Sequence, residues 1–397
     1  MNHAPVYIIN ALRSPVGKAP RGCFRYVRPD DLLAHVLKQV LARTPQLPLE
    51  KISDVVIGCA MPEAEQGMNV ARIASLLAGL PDSVPAMTIN RFCSSGIQSI
   101  AIAAQSIALG QADLMLAGGT ESMSMVPLGG NKLTVSPSVF ANKEHEAIAY
   151  SMGITAENVA KKWQISREAQ DEFALQSHQK ALNATQQGWF DEEITPYTVI
   201  SKQADLFTGE RQVDEKIISK DEGPRRDTNL ETLSGLRTVF AARGTVTAGN
   251  SSQTSDGAGA VLLASEQAVK AYQLQPIAIW HGFSVAGVAP EYMGIGPVAA
   301  IPKVLQQSGL SLQQMDWIEL NEAFAAQSLA VIKDLSLDPT LVNPQGGAIA
   351  LGHPLGATGA VRAATIIHGL RRINRKYGMI TMCIGTGMGA AAIIEVI

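Results

Sequence analysis

Cys93 stands in the run Asn90-Arg91-Phe92-Cys93-Ser94-Ser95-Gly96, where a β-rich stretch gives way to an apolar, alanine-rich helical segment from Ile97 to Leu109. A strand-like run from Asp113 to Ala117 follows Gly110. A thiol at a helix N-terminus faces free backbone N–H groups and the positive end of the helix dipole. Both favour the thiolate, the form that attacks a carbonyl carbon. This makes Cys93 a candidate nucleophile, set against the ordinary alternative of a small buried hydrophobe.

Two downstream loops tip the balance. Gly346 to Gly359 is glycine-dense and holds His353, and Met382 to Gly389 holds Cys383 between a strand and a glycine-rich turn. Glycine allows close approach of backbone to a ligand, so that N–H groups can point at an oxyanion. A cysteine, a histidine and a second cysteine on such loops suit acyl transfer through a thioester. The other histidines (His3, His35, His145, His178, His281 and His368) read as structural.

These residues need a scaffold, and the composition suggests one. The chain has 397 residues, 46% hydrophobic and 17% charged, with net charge −3. That is long enough for two or more packed units, and it gives no electrostatic case for nucleic acid or a membrane surface. The start lacks a signal-peptide pattern, the last residues carry no retention or lipidation motif, and no apolar run reaches ~18 residues. A cytoplasmic protein is expected. Cys23, Cys59, Cys93 and Cys383 form no C-x-x-C pair or zinc spacing and should be free thiols, with Cys23 and Cys59 structural.

Charge divides the chain: residues 141–243 hold 13 of the 32 Lys/Arg and 17 of the 35 Asp/Glu. The block carries amphipathic helical patterns over Thr155–Trp163 and Ser166–Gln187, the second with Ser166 as a candidate N-cap. Outside it, strands and alanine-rich helices alternate and are apolar on both faces, as in parallel sheet buried between helices. The polar block should lie over the top of this α/β core. The flanking parts look like a distant duplication: Cys93–Gly96, a helix, then Leu114–Ala117; and Gly356–Gly359, the helix Ala360–Arg372, then the strand Met379–Cys383. Gly385 to Ala390 fits G-x-G-x-x-A, but too few residues remain for a dinucleotide-binding unit.

The three segments, with Asn321-Glu322-Ala323-Phe324-Ala325 between them, resemble the thiolase family. The likeness runs from Ala11-Leu12-Arg13-Ser14-Pro15-Val16-Gly17 to Ala390–Glu395. It implies a layered α/β/α/β/α architecture built from two similar halves, with an N-terminal domain over 1–270, a loop-domain insertion over about 120–248 and a C-terminal domain over 271–397. By resemblance, Cys93 forms the acyl-thioester, His353 is its base and an oxyanion donor, and Cys383 shuttles the second proton and should titrate near neutrality. The backbone of Gly385 would complete an oxyanion hole with that of Cys93, and Asn321 would hold a water at the enolate oxygen. Met152, Arg225, Ser252 and Phe324 align with segments that touch CoA. Glu322 reads as an orienting or, by slight preference, a loop-tying carboxylate.

The activity implied is cleavage of 3-ketoacyl-CoA by CoA. Ser151 stands where many biosynthetic acetoacetyl-CoA thiolases carry histidine, and with Cys59–Gly67 this points to the degradative branch; the short-chain biosynthetic enzyme is the alternative. A decarboxylating ketosynthase would carry histidine in place of Cys383, and a silent scaffold relative would have no need of Cys93, His353, Cys383 and Asn321 together. The resemblance implies a homodimer or homotetramer, leaves open a hydratase/dehydrogenase subunit as partner, and implies no metal or redox cofactor, CoA being a substrate.

Overall fold

The computed structural model describes residues 4–204 and 211–397; His3 lies outside them, and so do residues 205–210 of the expected insertion. In chain order the strands are β1 (Val6–Arg13), β2 (Gly17–Lys18), β3 (Asp54–Gly58), β4 (Ala86–Ile89), β5 (Leu114–Ser122) and β6 (Tyr197–Ala204). They continue with β7 (Arg211–Ile218), β8 (Ser255–Ser265), β9 (Ala278–Gly287), β10 (Trp317–Leu320), β11 (Tyr377–Ile384) and β12 (Met388–Val396). One sheet runs β10-β11-β12-β9-β1-β8-β5-β3-β4, with β2 added beside β8.

The sheet is an internal repeat. The first half orders its strands β1-β8-β5-β3-β4; the second orders them β9-β12-β11-β10, and Val342 bridges parallel to Ile318 where β4 would stand. The halves join edge to edge through Val6–Trp280, Tyr7–Ile279 and Ile8–Ala278. Among the named strands of the described residues, parallel pairing, expected of the core sheet, joins only β3–β4, β3–β5 and β10–β11. β11 and β12 are joined by the short turn Gly385–Gly387, which cannot connect parallel strands.

Alternate residues of each strand enter different apolar layers, which is why the sequence reads as apolar on both faces. Val55 and Ile57 pack with Leu33 and Leu37 of the outer helix Pro29–Ala42. Val56, Met115, Ile380 and Met382 face a central layer with Ile97, Ile100 and Ile366. Ile318, Leu320 and Met379 pack on the opposite side against Ile301 and Val304 of the helix Gly296–Ser308. Each fully buried aliphatic side chain contributes roughly 1.5–3 kcal/mol. The result is α/β/α/β/α layering from two similar halves.

The central layer holds the helices Ser95–Ala108 and Leu355–Arg372, one from each half. They cross through glycine: a Cβ on Gly359 would lie 2.2 Å from the amide nitrogen of Ile97. The second helix starts earlier than its alanine-rich pattern suggested, directly after Pro354, so Gly356 to Gly359 are helical.

The charged middle block forms the β6–β7 hairpin and the helices Met152–Trp163 and Arg167–Gln186. Ser151 and Ser166 cap these helices, accepting from the N–H groups of Ile154 and Ala169. The second helix packs against Ala325–Asp334 and Ala348–Leu351, beside the loops bearing Asn321 and His353. Arg13 of β1 ties the block down, pairing with Glu193 at 2.6 Å and Asp221 at 2.7 Å, all buried. Truncating one partner of such a pair costs about 3–5 kcal/mol.

Candidate active site

Cys93 lies in the turn Phe92–Ser94, one residue short of the N-cap Ser94 of the central helix. Phe92 has φ +44°, a left-handed conformation that a bulky residue adopts only when held there. Asn90 Oδ1 accepts from the N–H of Phe92 at 2.7 Å, and Ser95 Oγ accepts from the N–H of Arg91 while donating to the Phe92 carbonyl. The partly accessible thiol receives the amides of Gly385 and of Cys93 itself. Its ionisation departs from expectation. Burial pushes the Cys93 thiol up to about 11, outweighing both amides, and Glu121 adds to the rise.

His353 is buried in the loop between the short helix Ala348–Leu351 and the second central helix. Its Nδ1 is 2.6 Å from Thr358 Oγ1 and its Nε2 is 3.3 Å from Asn321 Nδ2. With Nδ1 protonated, Nε2 accepts from Asn321 and carries the basic lone pair. Asn321 Oδ1 is buried with no hydrogen-bond partner among the described residues. Burial, aided by the Arg362 charge, lowers the His353 pKa to about 3, so the imidazole is neutral.

Cys383, at the end of β11, is fully buried, and its pKa lies far above the ordinary thiol value through burial and the neighbouring Cys93. The expectation of titration near neutrality fails here because the low-dielectric surroundings disfavour the thiolate. Cys383 shares an apolar cluster with Met152, Ala156, Val246, Met293, Ala323 and Phe324. Gly385 looks onto Phe92 and Met152 at 3.7 Å. Cys93, Cys383, Gly385, Met152 and Phe324 are thus brought together, and Asn321 joins His353.

Ser252 lies beside Phe324: its N–H donates to the Ala323 carbonyl, and Ser251 bridges to Phe324. Arg225 lines a separate cavity of about 190 Å³ with His178, Asp227, Thr228, Gly249 and Gln253. The carbonyl of Gln253 accepts from the His353 N–H, linking the cavity to the histidine loop. His178, read as structural in sequence, accepts the Arg225 N–H on Nδ1, and burial with the Arg225 charge lowers its pKa to about 4. Glu322 accepts from Ser177 Oγ, Asn343 Nδ2 and the Ile349 N–H, tying the polar block to two loops of the second half. Thr358 and Glu121 were not singled out in sequence; only proximity to His353 signalled the first, and nothing local signalled the second.

Comparison with known proteins identifies the family. The family model described as Thiolase, N-terminal domain matches residues 6–267, and that described as Thiolase, C-terminal domain matches residues 274–396. A Bacillus subtilis protein named 3-ketoacyl-CoA thiolase is 50% identical over 390 residues, covering 98% of each chain. The crystal structure of human mitochondrial 3-ketoacyl-CoA thiolase superposes with TM-score 0.88 at 41% identity over 99% of both chains. That of the Bacillus anthracis acetyl-CoA acetyltransferase superposes with TM-score 0.89 at 40% identity, covering 100% of this chain and 99% of that one. The chain belongs to the thiolase family.

Proposed function

We propose that this enzyme cleaves 3-ketoacyl-CoA with CoA, releasing acetyl-CoA and an acyl-CoA shortened by one acetyl unit, as in fatty acid β-oxidation. The observation that carries the reading is the convergence of the Cys93 thiol, the Gly385 amide and the Cys383 thiol, with Asn321 bonded to His353. The relative named 3-ketoacyl-CoA thiolase at 50% identity supports the degradative branch over the short-chain biosynthetic one.

Cys93 attacks the 3-keto carbon as its proton passes to His353 Nε2. Proton transfer with attack avoids a buried thiolate–imidazolium pair, which the raised thiol and lowered imidazole pKa values both disfavour. The tetrahedral oxyanion accepts from the N–H groups of Cys93 and Gly385, each donor worth about 3–4 kcal/mol of barrier. The C2–C3 bond then breaks, its electrons form the acetyl-CoA enolate, and the Cys383 thiol protonates C2. The enolate oxygen takes hydrogen bonds from protonated His353 and from a water on Asn321. CoA then attacks the acyl-cysteine as the Cys383 thiolate takes the proton of its thiol. The bond from the acyl carbon to Cys93 breaks, and the departing Cys93 sulfur recovers its proton from His353, restoring the neutral imidazole. The raised Cys383 pKa suits this shuttle, because the α-carbon of a thioester is itself a weak acid and proton transfer is easiest between matched groups.

Met152, Phe324 and Ser252 would line the pantetheine arm, and Arg225 would meet a CoA phosphate. The domain division near residue 270 and the insertion over about 120–248 belong to the same proposal, supported by the linker between the helix Glu266–Ala271 and β9. Assembly as a homodimer or larger homo-oligomer is supported by β4, which pairs only with β3 among the described residues and exposes Met87. Four unpaired thiols suit a reducing cytoplasm, and no helix among the described residues is long and apolar enough to cross a membrane.

The test is CoA-dependent loss of substrates ranging from acetoacetyl-CoA to long-chain 3-ketoacyl-CoA, with Cys93→Ala as control. Activity on the longer substrates, abolished in Cys93→Ala, is the expected result. Activity confined to acetoacetyl-CoA would move the enzyme to the biosynthetic branch.

A further inference from the structure

Glu121, near the end of β5, is a carboxylate with 1% exposure. Its Oε2 accepts from the N–H of Ala60 at 2.7 Å and from the N–H of Gly356 at 2.8 Å. Its Oε1 accepts from the N–H of Met61 at 3.2 Å, from the Gln66 side-chain amide, and from the Cys59 thiol at 3.7 Å. Burial pushes its pKa up and the amide donors oppose the rise. Five donors around one carboxyl group match the ionised form, which only accepts.

The Oε2 atom has two arms, and each reaches a reacting residue. On one side the Ala60 carbonyl accepts from Asn90 Nδ2 at 3.1 Å, and Asn90 Oδ1 accepts from the N–H of Phe92, the neighbour of Cys93. On the other, Gly356 lies in the first turn of the helix whose Thr358 partners His353 Nδ1. The contact requires glycine, since a Cβ on Gly356 would lie 2.6 Å from the Cys59 Cα and 2.8 Å from Glu121 Oε2. Cys93 and His353 come from different halves of the chain, so a shared anchor sets their separation directly. A negative helix-N-terminal partner also stabilises that helix.

We propose that Glu121 is a positioning residue for thiolysis, holding the Cys93 turn and the first turn of the His353 helix at a fixed separation. The role rests on the reading of Cys93 as nucleophile. Glu121 also acts through its charge. Around Cys93, the Glu121 charge opposes ionisation and the amides of Gly385 and Cys93 favour it, while Cys383, a thiol, and His353, a neutral imidazole, carry no charge. Cys93 therefore stays a thiol until a base takes its proton.

Glu121→Gln keeps the volume, removes the charge and turns an NH2 toward N–H donors. Its kcat for thiolysis should fall about 10–100-fold, with the KM for CoA within about twofold of wild type. The pH profile of Cys93 alkylation by iodoacetamide should move to lower pH, a shift that a purely structural role would not cause. Asn90→Ala, at an exposed side chain, cuts only the arm to Phe92 and should lower kcat without moving that profile. Wild-type kcat in Glu121→Gln, or an unmoved alkylation profile, overturns the proposal. Should that variant fail to fold, wild-type kcat in Asn90→Ala overturns it instead. Wild-type enzyme assayed alongside separates the two readings: no turnover by it refutes thiolysis itself, whereas normal turnover with unaffected variants refutes only the role of Glu121.

Discussion

Asn321 Nδ2 lies 3.3 Å from His353 Nε2, while the Oδ1 of the same amide is buried with no partner among the described residues. One end of the side chain orients the imidazole and the other is an acceptor left for a water or a substrate hydrogen. Asn321→Ala removes both functions. Its kcat should fall by about 10²–10³-fold with little change in the KM for CoA, measured by steady-state kinetics. A variant that turns over like wild type would exclude Asn321 from the enolate site.

The buried histidines set an acid limit on stability. Both His178, lowered to about 4, and His353, lowered to about 3, stay neutral in the fold but take a proton near pH 6.5 when unfolded. Below pH 6.5 the unfolded chain binds more protons, so stability falls as pH drops from about 6.5 toward 4 and 3. Melting temperatures recorded from pH 8 to 4 should show this slope, and His178→Gln should flatten it. An equally steep decline in the variant would assign the acid limit to other groups.

Two glycines should answer the same substitution differently. A Cβ at Gly385 meets Met152 and Phe92 no closer than 3.7 Å, so Gly385→Ala should fold and melt like wild type. Its methyl would still crowd the space beside the Cys93 thiol, lowering kcat/KM about tenfold. At Gly359 the methyl would collide with the Ile97 backbone in the crossing of the central helices. Gly359→Ala should lose about 3 kcal/mol or more of stability; a chemical denaturation curve for each variant checks the contrast.

Arg225 should serve binding rather than chemistry, since it lines the cavity with His178 and lies outside the Cys383 cluster. Arg225→Ala should raise the KM for CoA about tenfold, the worth of one charge-assisted hydrogen bond, and leave kcat unchanged. With a pantetheine thiol lacking the nucleotide, variant and wild type should not differ. An equal loss with that shorter thiol would place Arg225 nearer the reacting carbon.

Cys93, His353 and Cys383 were legible in the sequence as candidates because each sits in a short run whose glycines and small residues mark a loop, whereas Asn321 entered only through the family resemblance. The duplicated halves were legible too, through apolar runs followed by glycine turns. Strand direction was not: Ser255–Ser265 and Met388–Val396 are as apolar as parallel core strands, and only pairing shows that they run antiparallel to their neighbours. His178 looked like any helical histidine until the Arg225 loop closed over it.

By itself, then, the amino-acid order determined the α/β class, the polar middle block and the residue types of an acyl-transfer site, since these follow from periodicity, charge density and local motifs. The tertiary structure alone decided the protonation states of Cys93, His353 and Cys383 and the joining of Ala60 to Gly356 through Glu121. Burial and hydrogen bonding between residues hundreds of positions apart govern both, and neither leaves a trace in local sequence.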